Sequence, residues 1–383
     1  MLLYIHIPFC KRKCRYCSFV SYEEQAFTPE RYVRNLIREA EGRKNEFSEE
    51  LDTVFIGGGT PSLLSPELTV SLPESLFHIL SAKKPAEFTI ESNPGTVTEQ
   101  WMAAAVKAGM NRLSIGMQAL QPSLLDTLGR IHTFRDVEKT IRIARTYGIR
   151  NINIDLIFGI PGQTLAQWKD TIDAALMLEP KHISAYGLIP EEKTPLYNDL
   201  LNGKLSLPDP DLERTMYDTV IILLSKQGFR QYEVSNFALP GYECRHNIGY
   251  WKQIPYVGLG ASAASMSVLH SGDKGMMCLR RKNPDLLIDY EKMVQERSEP
   301  AEISLISPPE SRFETMMLGL RMNEGIDEIR FREIHGVSVE EIFGEKLHRL
   351  ESLDLMNHSD HRWKLTRRGF DIQNSILVEL MED

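Results

Sequence analysis

Three cysteines, Cys10, Cys14 and Cys17, form a CxxxCxxC array ten residues into the chain, directly after the apolar run LLYIHIP. Two or three intervening residues permit a turn but no helix or strand, so one short loop must carry all three sulfurs. The other cysteines, Cys244 and Cys278, lie far downstream. Three thiolates can hold three irons of a cubane cluster and leave the fourth iron open to a small ligand. The loop could also hold zinc, with His6 completing a set of thiolates and imidazole, or simply carry unligated thiols. Tyr16, between Cys14 and Cys17, is placed to cover a cluster, to meet a flat ligand, or to pack.

Downstream, short apolar runs alternate with helical periodicity, the pattern of repeated βα units. Strands are expected near residues 2–7, 52–56, 87–92, 111–116, 151–157 and 182–188. Between the first two, Val33, Leu36, Ile37 and Ala40 recur at helical spacing among charged and polar neighbours, so that helix covers a sheet. Six strands fall short of the eight that close a barrel, which predicts a partial (β/α)6 TIM-like barrel of the α/β class. Parallel strands joined by crossovers bring their C-terminal ends to one rim, where ligand loops gather.

The 383 residues give room for a barrel-sized unit and a smaller one. Around residues 296–310, Glu, Ser and two consecutive prolines interrupt the pattern and read as a linker. It divides a first unit, residues 1–295, from a second, residues 300–383. The second shows helices, a short hairpin and a last helix, a small, mostly helical, winged-helix-like order. That shape invites a DNA-binding reading, but 10 Lys and Arg face 17 Asp and Glu there. Phosphate needs the opposite sign. No nucleic acid is therefore expected; a protein contact, a lid or a plain solvated face fits the charge. The opening strand is too short for a signal-peptide core and has no basic leader, and no apolar run is long enough for a membrane span. A cytoplasmic protein is expected, with thiols used for a metal site rather than for disulfides.

HIPFCKRKCRYCSF (6–19) resembles the signature of the radical S-adenosylmethionine (radical SAM) enzymes. GGGTPS (57–62), ESNPGT (91–96), SIGMQALQ (114–121), LGRIH (128–132), NIDLIFGIPGQT (153–164) and EVSNFALPGYECRHNIGYW (233–251) are similar to the anaerobic coproporphyrinogen oxidase group, and most similar to its heme chaperone branch. The oxidases carry a further cysteine two residues after the triplet, where this chain has Phe19. They also carry a long N-terminal extension implicated in holding the porphyrinogen, whereas here the first strand starts at residue 2. Both differences argue against an oxidase.

The resemblance implies a 4Fe-4S cluster on Cys10, Cys14 and Cys17, with exchangeable S-adenosyl-L-methionine on its open iron. It also implies a pocket for that nucleotide lined by Tyr4, Gly58, Gly59, Thr60, Glu91, Gln118, Arg130 and Asp155. These residues fall at expected strand ends. Gly57, Gly58 and Gly59 follow the strand TVFI, and glycine there permits backbone approach that a side chain would block; their carbonyls and amides could take the amine and carboxylate of a methionine moiety. A glycine turn with no further role is the plainer alternative. Asp155 sits in an apolar strand, where a carboxylate needs a partner, either a ligand or a basic side chain such as Arg130.

In HNIGYW, neutral His246 suits an axial position on heme iron, and Tyr250 and Trp251 offer flat apolar surface. A packed, hydrogen-bonded histidine is the alternative. The HNxxYW pattern matches the motif associated with heme handling in the chaperone branch, so His246 enters the candidate set with Tyr16. Cys244 reads as a small buried hydrophobe and Cys278 as structural. YVGLGASAAS (256–265) reads as a small-residue loop, either close-packed or facing a ligand.

Two readings follow. In the first, the protein binds heme and passes it to an acceptor protein that could sit at a membrane, with the cluster and S-adenosylmethionine as a switch and an electron donor if the cluster is redox active. In the second, it oxidatively decarboxylates coproporphyrinogen III. Phe19 and HNxxYW favour the first. The hard chemistry would belong to the cofactor, so no side chain is assigned as catalytic.

Overall fold

The computed structural model describes residues 1–23, 27–47, 50–270 and 275–381. Six parallel strands, β1 (Leu2–Ile7), β2 (Thr53–Gly58), β3 (Glu87–Ser92), β4 (Arg112–Gln118), β5 (Asn151–Phe158) and β6 (His182–Gly187), stand side by side in chain order. Each coincides with a stretch expected from the sequence. Their side chains alternate in an inverted sense. Leu3, Ile5, Val54, Ile56, Phe88, Ile90, Leu113 and Ile115 join the main apolar core, whereas the intervening Tyr4, Phe55, Glu91, Arg112, Ser114, Asn153 and Asp155 line a lumen. A strand buried on both faces has no amphipathic stripe to show, so polar residues within it mark the face turned to a site.

Helices cover the apolar face. Thr28, Ser65, Thr98 and Thr164 each cap one by accepting from a first-turn amide. In the first helix, Pro29–Gly42, Val33, Leu36 and Ala40 are buried as their spacing predicts.

The sheet is wider than the sequence led us to expect. β7 (Arg230–Gln231) and β8 (Asn236–Ala238) extend it antiparallel beyond β6. On the other edge, β9 (Tyr256–Leu259) runs parallel to β1 and is followed by antiparallel β10 (Ala264–His270), β11 (Met276–Lys282) and β12 (Glu302–Ile306). Two expectations are corrected here. The supposed loop 256–265 is β9 and the start of β10, and its small residues serve close packing: a Cβ on Gly258 would lie 2.1 Å from Ala264 O, and one on Gly260 2.5 Å from Tyr32 Oη. Residues 302–306, expected within a linker, pair with β11 along the sheet edge.

Beyond β12, the helices Pro308–Gly319, Glu328–His335 and Val339–Ser352 pack with a small sheet of β13 (Ile326–Asp327), β14 (Met356–Ser359) and β15 (Arg362–Leu365). The short helices Arg367–Asp371 and Gln373–Leu380 end the chain's described part. Met316, Phe331, Phe343, Leu347 and Trp363 belong to this unit's own core, in the helix-then-hairpin order expected. No helix among the described residues is long and apolar enough to cross a membrane.

Candidate functional site

The rim at the C-terminal ends of β1 to β6 carries the cysteine loop. Cys10 N donates to Tyr22 O at 3.0 Å, Arg15 N to Leu128 O at 3.0 Å, and Leu196 N to Arg15 O at 2.9 Å, while the Arg15 guanidinium pairs with Asp199. The loop is thus pinned on both sides. Gly129, in the left-handed region at φ 72°, faces Arg15, whose Cγ a Cβ there would approach to 2.7 Å. This explains the glycine of LGRIH.

Two of the sulfurs are joined through the protein. Arg130 donates to Cys14 Sγ at 3.2 Å, and to Asn93 Oδ1 and Gly116 O at 2.7 Å each. Asn93 Nδ2 donates to Thr60 Oγ1 at 2.7 Å, and Thr60 Oγ1 lies 3.7 Å from Cys10 Sγ. A Cβ on Gly116 would lie 2.7 Å from Arg130 Nη2 and 2.8 Å from Gln118 Nε2, so this glycine is what lets both side chains approach the strand. Gln118 itself sits at φ 65° beside a register shift in β4.

The donor set fits an iron–sulfur cluster. All three cysteines are free. Burial, then the neighbouring sulfurs, pushes the Cys17 thiol up to about 11, and burial raises Cys10 as well. A thiolate trio in this loop therefore calls for a cation, which iron provides. His6 does not fit as a fourth zinc ligand, because Nε2 meets Val20 O at 2.8 Å and Nδ1 meets Tyr4 Oη at 3.0 Å. Tyr16 packs against the apolar group that includes Leu124, Leu128 and Ile157.

The glycine triplet behaves differently from one expectation. The amides of Gly58, Gly59 and Thr60 donate to Glu91 Oε2, Ile7 O and Phe9 O at 3.1, 2.8 and 2.7 Å. These three amides are thus bonded within the protein. The expected alternative pairing of Asp155 with Arg130 is likewise replaced: Asp155 accepts from Ser114 Oγ at 3.0 Å and from Asn153 Nδ2 at 2.8 Å.

Tyr4, Glu91 and Asp155 line a lumen cavity of about 150 Å³ together with Arg112 and His246. Burial, then Asp155, pushes the Glu91 carboxyl up to about 7, and burial raises Asp155. Two buried carboxyls held this way suit a cationic ligand.

The floor, at the opposite ends of the strands, holds the HNxxYW segment as a helix, Arg245–Trp251. Glu87, at the start of β3, caps it by accepting from Arg245 N and His246 N at 3.0 Å each, with Cys244 Sγ 3.5 Å away. His246 Nδ1 meets Thr53 Oγ1 at 2.7 Å, and the ring stacks on Phe55 with centroids 5.1 Å apart. Burial, then Arg112, holds His246 neutral with its pKa down to about 3. Nε2 is buried without a partner. The histidine is thus packed and hydrogen-bonded through one nitrogen, with the other unmatched.

A larger chamber of about 640 Å³ opens beside the rim, walled by Phe19, Tyr250, Tyr256, Met266, Arg280 and Lys282 and reaching Tyr4, Gly58 and Glu91. Tyr4, Glu91 and Tyr250 line both spaces. Phe19 is 64% exposed.

Several functional side chains escaped the sequence reading. Asn93 lies inside the quoted ESNPGT and could have been singled out as the polar residue between a strand end and a turn. Glu87, Thr53 and Arg112 gave no comparable signal, since their partners are 159, 193 and 23 residues away in sequence.

The Radical SAM superfamily model matches residues 4–175 and the HemN C-terminal domain model residues 306–372. The chain is 36% identical over 376 residues to a protein named heme chaperone HemW from Bacillus subtilis, covering 97% of both. It is 31% identical to heme chaperone HemW from Escherichia coli, covering 98% of this chain and 96% of the other. Radical S-adenosyl methionine domain-containing protein 1, mitochondrial, from Danio rerio is 31% identical, over 99% of this chain and 86% of that protein. The solved structure of coproporphyrinogen III oxidase (HemN) from Escherichia coli superposes with a TM-score of 0.83 at 22% identity, covering 99% of this chain and 90% of that one.

Proposed function

The chain belongs to the radical SAM superfamily and, within it, to the HemW family, and from that premise we propose that it binds heme and hands it to an acceptor protein. The family implies a 4Fe-4S cluster and S-adenosylmethionine. Cys10, Cys14 and Cys17 would hold the cluster, and Tyr4, Gly58, Gly59, Thr60, Glu91, Gln118, Arg130 and Asp155 would surround the nucleotide. When bound, the pair supplies a low-potential electron beside a sulfonium.

The chain's own residues do the rest. Arg130 and Thr60 donate toward the Sγ atoms of Cys14 and Cys10, which would stabilise the thiolates that hold a cluster. Glu91 and Asp155 place buried carboxyls where a cationic ligand compensates them. Tyr16 shields the loop from water.

The observation that carries the heme reading is the 640 Å³ chamber, within the range of whole-ligand pockets. Its walls combine flat apolar faces from Phe19, Tyr250 and Tyr256 with Arg280 and Lys282, a set that suits a planar macrocycle bearing acidic side arms. Phe19, where the oxidases have a cysteine, turns apolar surface into it. His246 is the proposed axial ligand: its ring stays neutral and Nε2 is unmatched. Tyr250 meets that ring edge-on with centroids 4.8 Å apart and lines both spaces, so it must swing aside for iron to reach Nε2. The acidic second unit is the proposed contact for an acceptor or a donor of electrons, in the cytoplasm or at a membrane surface.

The test is anaerobic reconstitution followed by heme titration, and incubation of the same sample with coproporphyrinogen III, reductant and S-adenosylmethionine. A Soret band that His246→Ala weakens supports the carrier. Formation of protoporphyrinogen IX without stable heme binding would transfer the chain to the oxidase reading.

A further inference from the structure

A third cavity, of about 140 Å³, lies between the barrel and the second unit, beside the C-terminal end of the helix Arg245–Trp251. Lys252, Arg330 and Arg362 face Glu324 and Asp327 there. Lys252 pairs with Glu324 at 2.7 Å and Arg362 with Asp327 at 2.7 Å. Arg330 donates to Lys252 O at 2.6 Å and forms no ion pair with a carboxylate among the described residues. One guanidinium charge is left over.

Two more donors are buried around the same space without an acceptor, Trp251 Nε1 and Gln253 Nε2. Gln253 is only 6% exposed, and its Oε1 already accepts from Thr315. These unmatched groups are all donors. Each buried donor without an acceptor costs roughly 1–3 kcal/mol. A water molecule would accept from one or two of them but would leave the charge of Arg330 uncompensated. A carboxylate answers both needs, since its two oxygens accept several hydrogen bonds and match a guanidinium in plane.

We propose that this cavity receives a carboxylate. It is smaller than the ~300 Å³ at which whole-ligand pockets begin, so it suits a side arm or a small free acid rather than a ring. Gln253 also lines the 640 Å³ chamber. A carboxylate arm of a macrocycle seated there arrives at the same place as a free carboxylate from solvent. The first source rests on the heme reading above; the cavity's chemistry does not.

The reconstituted full chain is titrated with heme and with heme dimethyl ester, in which both acidic arms are blocked. Wild type should bind heme on the order of tenfold more tightly than the ester, the size of a charge-assisted hydrogen bond. Arg330→Met and Trp251→Phe should each narrow that gap by weakening heme and sparing the ester. Separately, acetate is added to heme-free protein and the thermal midpoint followed. Equal affinity for heme and ester overturns the side-arm source; acetate that then stabilises wild type and not Arg330→Met assigns the cavity to a free carboxylate. No discrimination against the ester and no acetate effect overturns the site altogether. If wild type binds no heme at all, the carrier reading falls, and the acetate measurement alone decides the cavity.

Discussion

The two ends of the barrel are built from the same strands and work in opposite ways. At the rim, side chains contributed by short contiguous motifs converge on sulfurs: Thr60, Asn93 and Arg130 link Cys10 to Cys14 within four hydrogen bonds and contacts. At the floor, a single glutamate and a single threonine hold a helix that comes from far along the chain. The rim is assembled to receive charge, and the floor to fix one neutral ring. That difference can be broken by removing each end's organising residue and asking whether the other end notices.

The largest effect is expected at the sulfurs. Cys14→Ser should abolish retention of iron and sulfide after anaerobic reconstitution, because a three-cysteine site has no spare ligand. Cys244→Ser, at the floor, should leave the iron content at the wild-type level, since its sulfur donates to Glu87 on the far side of the barrel from the cysteine loop. Iron analysis of the two variants side by side measures the contrast, and equal iron loss in both would erase it.

Next is the floor itself. Glu87→Leu leaves the buried amide of His246 and the half-buried amide of Arg245 without an acceptor, at roughly 1–3 kcal/mol for the buried one and less for the other. Urea midpoints should fall by the equivalent of about 3 kcal/mol, and heme binding should weaken while reconstituted iron content is retained. An unchanged midpoint would mean that the helix is held by packing alone.

The same contrast explains what the sequence made legible. All six parallel strands were visible because each is a short apolar run between helical periods, and the rim residues because they follow those runs within quoted motifs. The floor was not. Nothing near Glu87 announces a cap for residues 245 and 246, because an N-terminal helix end is usually capped by its own preceding residue, and here Cys244 provides no side-chain cap. The added strands β9 to β12 were hidden for another reason. β9 is only four residues long and is interrupted by Gly258, so it shows too little bulky alternation to be recognised as a strand, and β12 is exposed over its first four residues, so it carries charge and serine like a linker. The alternative pairing of Asp155 with Arg130 was suggested by charge, whereas Ser114, on the adjacent strand, and Asn153, two residues along the same strand, share the lumen face with Asp155 and reach it first.

The two ends should also answer pH with opposite sign. His246 is held at about 3 in the folded chain against an ordinary 6.5. The unfolded state therefore binds the extra proton, and the contribution to stability, complete above pH 6.5, is lost as pH falls toward 3. Glu91 is raised to about 7 from 4.5. Its contribution is complete below pH 4.5 and is lost as pH rises through 7. Urea midpoints between roughly pH 5 and pH 7 should show His246→Gln and Glu91→Gln changing the wild-type slope in opposite directions, each by on the order of 2 kcal/mol across the range. Slopes that change in the same direction would show that the two groups do not differ in protonation as their surroundings dictate.

The smallest effects give the sharpest comparison, because they come from a matched pair of single hydroxyl groups. Thr53 Oγ1 meets His246 Nδ1 at 2.7 Å, and Ser114 Oγ donates to Asp155 Oδ2 at 3.0 Å. With Nδ1–H donated to Thr53, the Nε2 lone pair is free for a metal, so Thr53→Val removes the group that selects the tautomer while keeping the shape. Ser114→Ala strips one donor from a carboxylate that keeps Asn153 Nδ2. Each substitution should cost about 1 kcal/mol of stability. Their ligand effects should not cross: Thr53→Val should weaken heme by severalfold and leave S-adenosylmethionine affinity unchanged, and Ser114→Ala should do the reverse. Calorimetric titration of both ligands into both variants reads this directly. If Thr53→Val instead lowered nucleotide affinity, the floor and the rim would have to be a single site, joined through the lumen that Glu91, Arg112 and His246 share.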